Sequence, residues 1–385
     1  MVEKKNMTFY NLIEQKKNQE FLYKAIKNKK IANGYLFYGP DGSGFEGYAM
    51  EFAAMLNCQS ETKPCGTCNS CRKMKNLEHG NISLIFPIPS VSSLKNENPI
   101  TKLTKSEIEE IRGQIKQKSQ NPYKKIHMEK AKNIPISMIR FLNKDIYLSA
   151  PEPGWKIVIV FDSDLMNNES ANAFLKILEE PPEKTTIIMT TSNINKILPT
   201  IKSRCKPLYF NKLAYQDIKD YFSDSEISEE KLHLMINLSG GNMASLYKLI
   251  GQDIDYIKNT TLEILRTIAG WNKKKIYFLV PELVKLQKND SELFIQVLIS
   301  LNFWFRDAEL IRKEILKQEL IHFDQRISIE KFVANYPDFQ AFKISKIIDN
   351  CIDSINRNVY INVVLMDMFF QIKKQIGKKI YYEQH

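Results

Sequence analysis

The sequence predicts an α/β module built on a parallel sheet, followed by a small helical domain and an all-α C-terminal region. Three observations carry this expectation. Apolar runs of strand length alternate with helical stretches through the first half of the chain, a glycine-rich loop joins the first such pair, and strand signals nearly vanish after "SRCKPLYF". With 385 residues, 43% of them hydrophobic and 26% charged, the chain is long enough for two or three cored domains and globular in composition.

The first strand, "GYLFYG", is a short apolar run ending in glycine, and "YAMEFAAMLN" continues as a helix. Between them lies "GPDGSGFEGYA", residues 39 to 49, where Gly39 and Gly44 stand five apart as in the phosphate-binding pattern G-x-x-x-x-G-K-[ST]. The next two residues break the pattern. Phe45 replaces the lysine that would bridge the β- and γ-phosphates, and Glu46 replaces the hydroxyl that would hold magnesium. Phe45 donates no hydrogen bond, and Glu46 sets a negative charge beside a polyanion. Losing one charge-assisted hydrogen bond costs about 1.5 to 3 kcal/mol, so ATP is not expected to bind tightly.

Cysteines come next. "CQSETKPCGTCNSC" places Cys58, Cys65, Cys68 and Cys71 as C-x6-C-x2-C-x2-C. Two overlapping C-x-x-C turns let three thiolates converge, and the fourth, from the preceding helix end, completes the tetrahedral S4 set that zinc prefers. Four thiolate ligands close the shell, which predicts structural rather than catalytic zinc. Cys205 and Cys351 stand alone and read as packing residues.

Residues 87 to 131 are rich in Lys, Asn and Pro and read as an insertion with one amphipathic helix around "KSEIEEIRGQIKQK". The strand "WKIVIVFDSD", the helix "NESANAFLKILEE" closed by Pro181 and Pro182, and the strand "TTIIMTTS" restore the alternating rhythm. Beyond "SRCKPLYF" the segments "YQDIKDYF", "SEEKLHLMINLSGGN" and "MASLYKLIG" form a short helical group stopping at Gly251, and longer helices follow. Domain joints are expected near 210 and 256.

No apolar stretch approaches the roughly 18 residues that span a bilayer, and the N-terminal segment lacks a signal-peptide pattern, which predicts a cytoplasmic protein without a membrane partner. The formal charge of +11 suits a nucleic-acid partner. Scattered lysines on a solvated face fit it equally well.

The segment "ANAFLKILEEPPEKTTIIMTTSN" followed by "LPTIKSRC" closely resembles the signature of clamp-loader subunits of the AAA+ class, and a four-cysteine module just after the loop helix is similar to the bacterial members. Among these the chain looks most like the delta prime type. The resemblance covers about the first 250 residues. It implies an AAA+-like module with a degenerate P-loop over 1–209, its zinc module at 58–71, a helical lid over 210–255 and a helical collar over 256–385. Aligned on "LMN", the family's metal-supporting Asp-Glu pair falls on Phe161 and Asp162, and Met243 stands where active members carry a sensor arginine. Arg204, in "SRC", is by this resemblance an arginine finger that reaches the nucleotide site of a neighbouring subunit. The implied role is a stator within a ring of gamma/tau-type ATPase subunits and the delta subunit, meeting the sliding clamp and primed DNA through the complex. The alternatives are an ATP-hydrolysing gamma/tau-like motor and a free-standing DNA-binding adaptor.

Overall fold

Runs of β-branched and aromatic residues form five strands among the described residues: β1 (Gly34–Tyr38), β2 (Ile82–Ile85), β3 (Lys156–Val160), β4 (Thr185–Thr191) and β5 (Lys206–Tyr209). All pair in parallel, in the order β2-β3-β4-β1-β5. The computed structural model describes residues 8–90, 97–315, 320–357 and 359–377. They divide into two compact units, Met1–Tyr221 with Gly241–Ser245, and Phe222–Gly240 with Leu246–His385.

In the first unit the helices are α1 (Lys16–Lys27), α2 (Phe45–Asn57), α3 (Asn69–Lys75), α4 (Lys105–Gln120), α5 (Ile136–Asp145), α6 (Asn168–Glu179), α7 (Pro199–Lys202) and α8 (Tyr215–Tyr221). Central strands β3, β4 and β1 are almost wholly buried, as parallel strands covered on both faces must be, and so they read as unbroken apolar runs. The edge strands β2 and β5 are only partly covered. Every residue of α2 is buried, which explains why that helix shows no polar face in the sequence. Asn167 caps α6 by accepting the Ser170 amide at 2.8 Å, and the helix ends just before Pro181. The helix expected inside the insertion is α4, opened by a capping box. There the Thr104 amide donates to Glu107 at 2.9 Å, and the Glu107 amide returns to the Thr104 hydroxyl at 3.3 Å.

α9 (Glu229–Ser239), α10 (Met243–Ile250), α11 (Ile254–Gly270), α12 (Lys273–Asn289), α13 (Ser291–Arg312), α14 (Arg326–Asn335), α15 (Ala341–Asn356) and α16 (Ile361–Ile376) follow, and the second unit holds no strand among its described residues. Its core runs along α13, where Phe294, Leu298, Leu301, Trp304, Phe305 and Ala308 are buried. Inside it, Ser300 Oγ lies 3.1 Å from His322 Nε2, and His322 Nδ1 lies 3.1 Å from Asp307 Oδ2. The arrangement has the form of a hydrolase triad, yet all three residues are fully buried. No substrate reaches them. Asp307 instead accepts the backbone amides of Ile321 at 3.0 Å and His322 at 2.7 Å, which pins that segment onto α13. Among the described residues no helix is long and apolar enough to cross a membrane.

Candidate functional site: a substituted P-loop, a four-cysteine cluster and a surface arginine

The glycine loop lies where the motif places it, between β1 and α2. Gly42 and Gly44 take φ of +72° and +93°, a region where L side chains are strained. Packing fixes the loop as well. The Met243 amide donates to the Gly42 carbonyl at 3.3 Å, and a Cβ on Gly42 would fall 2.0 Å from Asn242 Oδ1. Gly42→Ala is therefore expected to destabilise the chain by about 1 to 3 kcal/mol or more, checked by chemical unfolding.

The two substituted positions face inward. Phe45 is 2% exposed and Glu46 5% exposed, so the glutamate is a core residue at the first turn of α2. It does not stand free to repel a polyanion, as the sequence suggested. The fully buried Lys118, in the last turn of α4, pairs with Glu46 Oε2 and donates to the Pro122 carbonyl at 2.8 Å. Its ammonium also sits 5.2 Å from the centre of the Phe161 ring. Burial pushes the Glu46 carboxyl up and the Lys118 ammonium down from their ordinary ranges, and each is the chief opposing charge for the other. The second glutamate oxygen, Oε1, has no hydrogen-bond partner among the described residues.

Phe161 and Asp162 follow β3 directly. Phe161 is buried, and Asp162 is held with φ +46° and accepts Lys125 at 3.0 Å. Lys125 also reaches Asp41 of the loop at 2.7 Å. Burial works to lower this lysine, but Asp162, Glu46 and Asp41 outweigh it and hold the ammonium well above its usual range. Asp164 accepts the Thr191 hydroxyl at 2.6 Å and so stays tied to the end of β4. Around the loop, Asp41, Glu46 and Asp162 are thus each paired with Lys118 or Lys125.

The four cysteines converge. Cys58 caps the end of α2, Cys65 and Cys68 follow in the turn, Cys71 lies in α3, and their sulfurs are all within 4.8 Å of one another. Cys65 and Cys71 are 3.9 Å apart. That is close to the roughly 3.8 Å edge of a tetrahedron with zinc–sulfur bonds of about 2.3 Å. Amides of Cys65, Cys68 and Cys71 donate to the sulfurs of Cys58, Cys65 and Cys68 at 3.3, 3.4 and 3.4 Å, an arrangement that favours thiolates. The Cys68 amide leads the contacts that hold the Cys65 thiol down at about 5. The cluster can hold a metal ion, and its chemistry is compatible with zinc.

Arg204 lies on the surface between α7 and the edge strand β5. It donates to the Thr200 carbonyl at 2.9 Å and pairs with Glu179 at 2.6 Å, with 36% and 48% of the two side chains exposed. Cys205 beside it is buried under Gly34 and near Met189, as a packing residue would be.

The model of the family described as "DNA polymerase III, delta subunit" matches residues 14–214, just over half of the chain. The chain belongs to the DNA polymerase III delta subunit family. Its α/β architecture, with a five-stranded parallel sheet and many helices, is consistent with an AAA+-like clamp-loader fold. The tau subunit of DNA polymerase III from Bacillus subtilis is 27% identical over 256 residues, 64% of this chain and 38% of that protein. The delta prime subunit from the same organism is 24% identical over 240 residues, 62% of this chain and 60% of that one. Delta prime from Pseudomonas aeruginosa is 27% identical over 229 residues, covering 58% and 57%. The chain thus spans less than two thirds of each of these relatives.

For this family member the sequence located the loop between a strand and a helix, grouped the cysteines and singled out Arg204. It missed Lys118 and Lys125. The available signal was the substitution itself, since an acid at a position that the strand–loop–helix order buries needs a counter-charge from somewhere.

Proposed function

We propose that this chain is a delta prime-type subunit of a DNA polymerase III clamp loader, a stator that hydrolyses no ATP itself and completes the site of a neighbouring ATPase subunit. One observation carries the reading: the positions that would serve the chain's own nucleotide are filled by Phe45, Phe161 and the buried Glu46, while Arg204 keeps a charged surface position. An arginine in that place can stabilise developing phosphoryl charge in trans. Residues 1–209 then form the AAA+-like module with its zinc site, 210–255 the lid and 256–385 the collar that joins the ring. The partners are gamma/tau-type ATPase subunits and the delta subunit, with the sliding clamp and primed DNA met through the complex. Zinc, held by Cys58, Cys65, Cys68 and Cys71, is structural and bridges the end of α2 to α3.

The second reading is a gamma/tau-like motor of the same complex, favoured by the similarity to the Bacillus subtilis tau subunit. Titration of the purified chain with a fluorescent ATP analogue and magnesium, alongside phosphate release, separates the two. The stator reading expects neither saturable binding nor turnover. Tight binding with turnover would make the chain a motor.

A further inference from the structure

We propose that the segment from Asn98 to Tyr123 is a built-in plug, whose Lys118, together with Lys125 just beyond it, supplies the positive charge that a nucleotide-binding loop ordinarily obtains from its own lysine and a divalent cation. Three carboxylates converge here from separate parts of the chain: Asp41 in the loop, Glu46 at the start of α2, and Asp162 after β3. Unmatched, they would repel one another around a partly dry centre. Lys125 bridges Asp41 and Asp162, and Lys118 closes on Glu46 beneath the Phe161 ring.

The lysines are carried to this place by a braced support. α4 is fixed at its start by the capping box, and its last residues, "KQKSQ", carry Lys118. Beyond it the Tyr123 amide donates to Asn121 at 3.1 Å, and the Tyr123 hydroxyl accepts the Ile13 amide at 2.7 Å. The support also presses on the loop. A Cβ on Gly44 would come within 3.2 Å of Tyr123, and one on Gly47 within 3.0 Å of Pro122. The insertion is thereby part of the site's wall, and the loop keeps one state whether or not nucleotide is present. This rests on the reading of the loop as idle, and the test separates the two.

The full-length chain is melted as wild type, Glu46→Gln, Lys118→Met and the double variant. Lys118→Met leaves a buried carboxylate unmatched and is expected to lower Tm on the order of 10 °C, with most of that recovered in Glu46→Gln/Lys118→Met. A Lys118→Met chain that fails to fold while the double variant folds supports the plug equally. Equal loss in single and double variants, or no loss in either, overturns it and leaves the idle loop standing. Amide exchange of residues 40–46 in wild type is the second readout, and millimolar magnesium–ATP is expected to leave it unchanged. Protection by nucleotide would overturn both the single-state loop and the idle-loop reading.

Discussion

Arg204→Ala in a reconstituted loader is expected to lower DNA-stimulated ATP hydrolysis at the one neighbouring site it completes by about 10³-fold or more, the range in which arginine fingers act, while the complex still assembles. The geometry makes this a clean substitution. Arg204 spends its hydrogen bonds on Glu179 and the Thr200 carbonyl at an exposed edge, and exposed ion pairs contribute about 0 to 1 kcal/mol. The folded chain should therefore lose almost no stability. Arg204→Lys is expected to rescue little, because an ammonium lacks the planar fork that engages a phosphoryl group at two points. Unchanged ATPase and clamp-loading rates in Arg204→Ala would reduce the residue to a surface brace for the end of α6.

The second large effect is expected at the cysteines. Metal analysis of chain purified without chelator should find about one zinc per chain, and Cys68→Ser should abolish stoichiometric binding. Residues 59–69 bury little: Gln59, Glu61, Gly66, Thr67 and Asn69 are exposed. Without the ion the segment has only Cys58, Cys71 and Met74 as buried apolar anchors at its ends, too few to offset the ordering entropy of about 1 to 2 kcal/mol per residue. Chelation is expected to raise amide exchange across 58–75 while the sheet stays protected. Protons compete with the ion for thiolate, so zinc should be released as pH falls and retained as it rises. Full protection of the segment after verified metal removal would sink the structural role.

What could be read in the sequence was local. β1, β3 and β4 are covered on both faces and therefore stand out as apolar runs, and the cysteines fall within fourteen residues, so their convergence needs only turns. β2 was not foreseen. It is a four-residue edge strand, mostly half-buried, and "ISLI" lacks both the length and the alternation that mark a strand. α5 was missed likewise, although this ten-residue helix following Pro135 does carry the helical spacing in its buried Met138, Ile139 and Leu142. The Glu46–Lys118 pair was out of reach for another reason: its partners are 72 residues apart, and no local pattern ties a lysine in a solvated-looking helix to an acid in the first turn of α2.

The strand order has a consequence for the chain as it is made. β1 pairs with β4 and β5, Gly34 aligning with Ile187 and Tyr35 with Lys206. When "GYLFY" leaves the ribosome, roughly 150 residues must follow before either neighbour exists, a wait of roughly 8 to 30 s at about 5 to 20 residues per second. Throughout that interval both edges of an apolar strand are without their pairing partners. The nascent chain should accordingly engage a holding chaperone early and release it only once residues near 209 have emerged.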